Sequence, residues 1–323
     1  LLVSPRPSPA TPLNRTAGFA YCVVVHPVLF KVPLLGWEVY SYGVLLGASL
    51  LAAWFLVHRW ARREGLPRET VADTFVVGAV AGLAGARLLY VAINAGEFEN
   101  PLRIVQIGQG GLTAWGGLLG GALASWLFLR HKRLRAWPWF DAAVPAVMLG
   151  LSFTGLGSFL HGSDFGRPSD TLAWAVRFPA GTPAFEWHDR AYGLAAQGIE
   201  WSRPVHPVQL YAAVTGLLLF GLLLVVRRRR TFGGQVFLLG TIAFSGATFV
   251  LETFRGDPKR GWIWLWSVSQ VIALAVCTAA VIAYIVRWRR ARRDPSKAFE
   301  MGPGLEAAIE EDRRARHPRP PSE

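Results

Sequence analysis

PVQLYAAVTGLLLFGLLLVVRRRR, residues 207–230, runs for twenty residues without a charge and then meets four consecutive arginines. A helix crosses the hydrocarbon core of a bilayer in roughly 20 residues, so Pro207–Val226 reads as a span with a basic end. Six further blocks of similar character lie around it: Val39–Val57, Thr70–Ile93, Leu112–Leu129, Ala136–Leu160, Phe232–Phe254 and Trp262–Val286. The chain is 52% hydrophobic, and those residues are gathered into these blocks. The expected fold is therefore all-α, a polytopic membrane protein of about seven transmembrane helices. No segment of about ten residues alternates with a period of two, which argues against a β-barrel.

Charge orients the spans. A formal net charge of +13 could suggest nucleic acid, but its placement matters more than its size. Four Lys or Arg follow the first span, four the third and four the fifth, and ten lie in the tail from Arg287, so 22 of 34 mark one side. Basic residues flanking spans stay in the cytoplasm. Residues 58–69, 130–135, 227–231 and 287–323 are expected inside, with the N-terminus outside and the C-terminus in the cytoplasm. The clusters are read as a topology signal with contact to lipid headgroups, not as a nucleic-acid surface.

The expected organisation is an extracytoplasmic segment 1–37 whose true start is open, because the chain begins on Leu1 and not Met. A membrane domain 38–293 follows, carrying an outer segment 161–206, and then a charged, flexible cytoplasmic tail 294–323. Residues 1–20 show no secretory-signal pattern. Cys22 and Cys277 form neither a metal pair nor an expected disulfide, and no metal or organic cofactor is called for.

Ionisable groups inside a span cost roughly 3 kcal/mol on insertion scales, so each asks for a reason. Arg87 lies about two turns from the outer end of the second span, and Glu252 and Arg255 lie three apart at the outer end of the sixth. His161, Asp164 and Arg167 follow the fourth span; His206, Gln209 and Tyr211 open the fifth. Any one of these could be an interfacial ion pair or a helix cap. Their shared depth in the outer leaflet argues for a site, and this residue set suits an anionic phospholipid headgroup. Gly116/Gly120 and Gly117/Gly121 stand at the spacing that lets helices approach closely. Gly157, Gly162 and Gly166 punctuate a turn out of the membrane.

Taken in order, these stretches resemble the prolipoprotein diacylglyceryl transferase family over roughly residues 26–290. The resemblance is carried by Tyr42–Gly43, Gly85-Ala86-Arg87, Gly110-Gly111-Leu112, Gly116-Gly117 and GLGSFLHGSDFGRP (residues 155–168). It continues through HPVQLY (206–211), LETFRGDPKRG (251–261, with Arg260) and SVSQ (267–270). It implies a multi-pass enzyme of the bacterial inner membrane that moves the diacylglyceryl group of phosphatidylglycerol onto the lipobox cysteine of a prolipoprotein. The thiol must ionise from a pKa near 8.5, and the departing phosphate must be held by cations. Arg87, Arg167, Gln209, Tyr211, Glu252 and Arg255 are the expected headgroup residues, with Glu252 orienting Arg255. His161 or His206 is the expected base, with Tyr42 beside the reaction.

Several polar positions of the family are replaced. Trp115 stands where the family has His, Gly155 and Thr248 where it has Arg, Ser158 where it has Asn or Cys, Ser163 where it has an acidic residue or Cys, and Ala212 where it has Glu. An indole takes no proton from a thiol. His161, an imidazole where the family has Asn or Ala, can supply that function instead. The competing expectation is a catalytically silent or altered paralogue that binds phospholipid or prolipoprotein.

Overall fold

The computed structural model describes residues 21–22, 25, 27–32, 37–98, 111–257, 261–299 and 302–316. Gly110 and Arg260, both part of the resemblance, lie outside the described residues. Nine helices occur among the described residues. They are α1 (Ser41–Arg63), α2 (Arg68–Ile93), α3 (Ala114–His131), α4 (Trp137–His161), α5 (Pro183–Tyr192), α6 (Val208–Arg229), α7 (Gln235–Leu251), α8 (Val268–Arg293) and α9 (Leu305–Arg316). Six of these, α7 being counted through its terminal turn to Phe254, are long and apolar enough to cross a membrane: α1, α2, α4, α6, α7 and α8. Leu51, Val80, Leu88, Leu218 and Leu274 on their surfaces are exposed, as lipid-facing side chains are.

The expected third span is α3, which has 18 residues. At 1.5 Å per residue it is about 27 Å long, a little under a hydrocarbon core of about 30 Å. Its 18 residues also include Arg130 and His131 in the last turn, so its apolar stretch is shorter still.

Two compact units divide the chain. The first comprises Leu1–Ser49, Leu151–Gly216 and Val250–Pro258. Its core gathers Val25, Phe165, Val176, Phe178, Ala184 and Val205. Strand β1 (Tyr21–Cys22) pairs in parallel with β4 (Val176–Arg177), while β2 (Val28–Val32) and β3 (Trp37–Tyr40) form an antiparallel hairpin. Helix α5 has plain sequence causes. The Thr182 side chain caps it by accepting from Phe185 N–H, Pro183 presets its first turn, and left-handed Gly193 ends it.

The second unit comprises Leu50–Gly150, Leu217–Phe249 and Lys259–Glu323. Helices α2 and α3 meet backbone to backbone along the glycines. A Cβ on Gly85 would stand 2.5 Å from the Gly116 carbonyl oxygen, and one on Gly120 would stand 2.8 Å from that of Ala81. The four-residue glycine spacing is therefore a packing seam. SVSQ is a capping box, in which the Ser267 side chain accepts from Gln270 N–H and the Gln270 side chain accepts from Ser267 N–H. Just before it, β5 (Trp262–Ile263) and β6 (Trp266–Ser267) form a short hairpin with Trp264 at its exposed tip.

The tail expected to be flexible contains α9. Ala308 is buried in the cluster of Val57, Trp60, Leu129 and Trp139, and Lys132 pairs with Glu311 at 2.7 Å. Spaced apolar residues gave the tail a face to bury, which its overall polarity concealed.

A second feature absent from the sequence reading is a buried ionic network. Asp141, in the first turns of α4, has no exposed surface. Its carboxylate accepts from the N–H groups of Gly234 (2.7 Å) and Phe237 (2.8 Å) at the start of α7. It also stands 3.4 Å from Arg230. Glu64 pairs with both Arg227 and Arg230.

Candidate functional site

The first unit brings together three stretches that are far apart in sequence. Gly166 N–H donates to the His206 carbonyl at 3.1 Å, His206 N–H to that of Arg167 at 3.1 Å, and Arg167 N–H to that of Phe254 at 2.8 Å. Gly256 N–H donates to the Phe165 carbonyl at 2.9 Å. The turn after α4, the entry to α6 and the turn after α7 are thereby laced by their backbones. Gly166 is required there, since a Cβ would collide with the His206 carbonyl.

Around this junction stand most of the expected side chains. Arg255 is held by Asp164 at 2.7 Å, Asp257 at 2.9 Å and Glu252 at 3.4 Å. Burial alone would lower the Arg255 pKa, but Asp164, Asp257 and Glu252 outweigh it and raise the value above the ordinary one. Three carboxylates around one guanidinium make Arg255 the centre of a structural hub, and its charge is already committed. Asp164 holds that place in the left-handed region at φ 52, and it also accepts from the Ser158 hydroxyl at 2.8 Å. Arg167 has a different position. It is exposed, its Nε donates to the Arg255 carbonyl at 3.3 Å, and it has no acidic partner among the described residues.

His206 and Tyr211 form a second cluster. The Tyr211 hydroxyl lies 3.5 Å from His206 Nδ1 and accepts from the Trp174 indole at 2.7 Å. The Phe254 ring stands 5.4 Å from that of His206. Burial lowers the His206 pKa below the usual imidazole value. The buried Gln209 amide donates to the Ser163 carbonyl at 2.7 Å, while its Oε1 has no donor among the described residues. His161 closes α4 half-buried, with the rings of Tyr40 and Tyr42 at 6.3 and 6.4 Å. Gly157 lets Tyr42 approach, since a Cβ there would be 3.2 Å from the ring, and Gly162 turns the chain at φ 77.

Arg87, Gly116 and Gly117 belong to the second unit. Arg87 is buried, donates to the Gly111 carbonyl at 2.9 Å, and lies 5.7 and 5.4 Å from the rings of Tyr90 and Phe98. Trp115 is buried against Phe244 at 5.3 Å, and its indole N–H has no acceptor among the described residues.

Gly155 is no vacancy left by an arginine. A Cβ there would lie 2.8 Å from the Gln209 carbonyl oxygen and 3.0 Å from Ala213 N, so α4 and the start of α6 touch through their backbones.

His188 lies in EWHDR, where charged neighbours on both sides conceal a buried position. It is 1% exposed in the first unit, with Phe165 at 5.5 Å, and neither ring nitrogen has a partner among the described residues. Burial, reinforced by the charge of Arg203, lowers its pKa from 6.5 to about 4. The unfolded chain therefore binds the extra proton between those values, so stability is complete above pH 6.5 and falls as the pH drops toward 4. About 2 kcal/mol should be lost between pH 7 and pH 5. Thermal unfolding at the two pH values should show this for wild type and a much smaller change for His188→Phe. Equal pH responses would mean that His188 protonates without cost.

Six helices long and apolar enough to span a bilayer define a polytopic membrane protein, and a polar junction laces three of its turns in the first unit. The family model for prolipoprotein diacylglyceryl transferase matches residues 27–286, and the chain belongs to that family. Relatives named phosphatidylglycerol–prolipoprotein diacylglyceryl transferase agree. That of Thermus thermophilus is 36% identical over 72% of this chain and 88% of its own length. That of Rhodospirillum rubrum is 32% identical over 83% and 94%, and that of Clostridium tetani 29% identical over 82% and 99%. Membership implies diacylglyceryl transfer to prolipoproteins, and a place in lipoprotein biosynthesis.

Proposed function

We propose that the chain transfers the diacylglyceryl group of phosphatidylglycerol to the lipobox cysteine of a prolipoprotein in the cytoplasmic membrane, its basic loops facing the cytoplasm. The thiolate sulfur attacks the glycerol carbon, a C–S bond forms, and the C–O bond to phosphate breaks as glycerol phosphate leaves. His161 takes the thiol proton. Arg167 carries the phosphate in the first unit, because Arg255 is held by its three carboxylates. Arg255 and Glu252 then fix the loop that presents Arg167. The unpaired Oε1 of Gln209 accepts from a substrate N–H or O–H, with Tyr211 and His206 beside it. The resemblance of Gly85-Ala86-Arg87 assigns Arg87 a headgroup role as well, and Tyr42 flanks His161.

The observation that carries this reading is the backbone lacing of Gly166, Arg167, His206 and Phe254, which unites the stretches that resemble the family. A second reading, binding of phospholipid without transfer, is favoured by Trp115 and by the closed position at Gly155. Complementation separates them. Expression in a bacterium depleted of its own transferase should restore growth and lipoprotein thioether formation. Stable, membrane-inserted protein without rescue would support the binding-only reading.

A further inference from the structure

The basic end of the second unit contains more cations than its ion pairs use. Glu64 and Asp141 face Arg227 and Arg230 and balance them. Arg63 and Arg287 add two cations at the same place; neither forms an ion pair with a carboxylate among the described residues, although Arg287 feels the charge of Asp141. A cavity of about 240 Å³ opens between them; Arg63, Arg230, Arg287, Trp137 and Phe299 line it together with Glu64, whose carboxylate is paired with Arg227 and Arg230.

The cavity is built around its arginines. The Arg287 guanidinium lies 4.7 Å from the centre of the Trp137 ring, and its Nη2 donates to the Gly233 carbonyl at 2.8 Å. Its Nε is buried and has no acceptor among the described residues. Arg230 lies 5.4 Å from the centre of the Phe299 ring. The aromatic ring and the Gly233 carbonyl hold the Arg287 guanidinium at the cavity wall, and a planar guanidinium fork matches phosphate oxygens. A buried N–H without an acceptor costs about 1–3 kcal/mol, a cost that a bound oxygen would remove.

We propose that this cavity binds a phosphate ester, with Arg63 and Arg287 as its principal cations. The adjoining surface favours a lipid as the source. A second cavity of about 450 Å³ shares Arg63 and is lined by Trp54, Phe55, His58, Arg59 and Arg62 along α1. That face of α1 leads to exposed Phe55 and Leu51, a path suited to an acyl chain. Basic pockets between membrane helices hold anionic lipid headgroups in this way. The proposal does not depend on the transferase reading, since it concerns only groups of the second unit that the reaction does not use.

The test uses full-length protein, delipidated in detergent and titrated with phosphatidylglycerol or phosphatidylcholine under native mass spectrometry. In an Arg167→Gln background, which weakens the substrate site, Arg63→Gln/Arg287→Gln should bind phosphatidylglycerol about tenfold more weakly at the remaining tight site, with phosphatidylcholine unaffected. Arg228→Gln/Arg229→Gln removes the same charge from exposed positions nearby and, in the same background, should leave binding unchanged. If the glutamine pair does not fold, Arg63→Lys/Arg287→Lys keeps the charge, removes the fork and should still weaken binding. A parallel thermal-shift series with inorganic phosphate against chloride identifies the source. Stabilisation of wild type by phosphate alone, lost in the cavity variant, would assign a soluble phosphate, whereas a response to phosphatidylglycerol only would assign the lipid. Equal binding with and without the cavity substitutions, or an equal loss in the Arg228/Arg229 control, overturns the site. Transfer activity is read separately, so its presence or absence leaves this result intact.

Discussion

Replacing His161 with alanine is expected to lower thioether formation about 10²–10⁴-fold, the usual worth of a positioned acid–base group. Within the first unit, His161 is the half-buried imidazole beside Tyr42, on the helix end that runs into the Asp164–Arg167 turn. Trp115 cannot take the proton, because an indole nitrogen only donates. The loss should fall on kcat more than on KM, since the base acts on a bound thiol and holds no part of the lipid. A gel-shift lipidation assay with membranes of defined protein content measures it. Folding is checked by unchanged thermal unfolding, because the His161 side chain makes no hydrogen bond to the scaffold among the described residues and closes its helix. Full activity in His161→Ala would transfer the role to His206, whose Nδ1 faces the Tyr211 hydroxyl at 3.5 Å. Tyr211→Phe should then alter the pH profile in that variant.

Asp141→Ala should be the most destabilising single substitution in the second unit, costing about 3–5 kcal/mol. The alanine leaves two backbone N–H groups at the start of α7 without that acceptor, and it leaves Arg230 paired with Glu64 alone among the described residues. Helix starts favour an anion, so the loss includes the interaction with the α7 dipole. Asp141→Asn keeps an acceptor oxygen while removing the charge, and should cost roughly half as much. Thermal unfolding in detergent ranks the three proteins. If Asp141→Ala unfolds with the wild type, the network is incidental to stability.

The apolar blocks and their basic ends made the spans legible, because the bilayer sets a length and the flanking charge marks a side. The glycine seam was legible too, since a four-residue spacing is a local property of α3. The network of Glu64, Asp141, Arg227 and Arg230 was not. Asp141 looks like an ordinary polar residue near a span end, and its value comes from Gly234 and Phe237, more than ninety positions away. Helix α9 escaped notice because a tail rich in charge hides the few apolar residues that face inward. Within the site, the shared position of His161, Arg167, His206 and Arg255 near span ends pointed to a cluster. Their sequence gave no sign that Asp164 and Asp257 would join Glu252 around Arg255, because pairing depends on turns whose geometry no periodicity reports.

The backbone contact at Gly155 also bears on how such a chain could change through time. With Gln209 and Ala213 occupying the space beyond its Cα, an arginine cannot enter by a single codon change without first prising two helices apart. If an arginine stood here in an ancestor, as the resemblance implies, Gly155 would act as a ratchet, each later substitution being accepted or rejected against a narrower gap. A lineage in this state regains an acid–base or phosphate-binding group more readily at a fresh position, as His161 would be, than by retracing its steps.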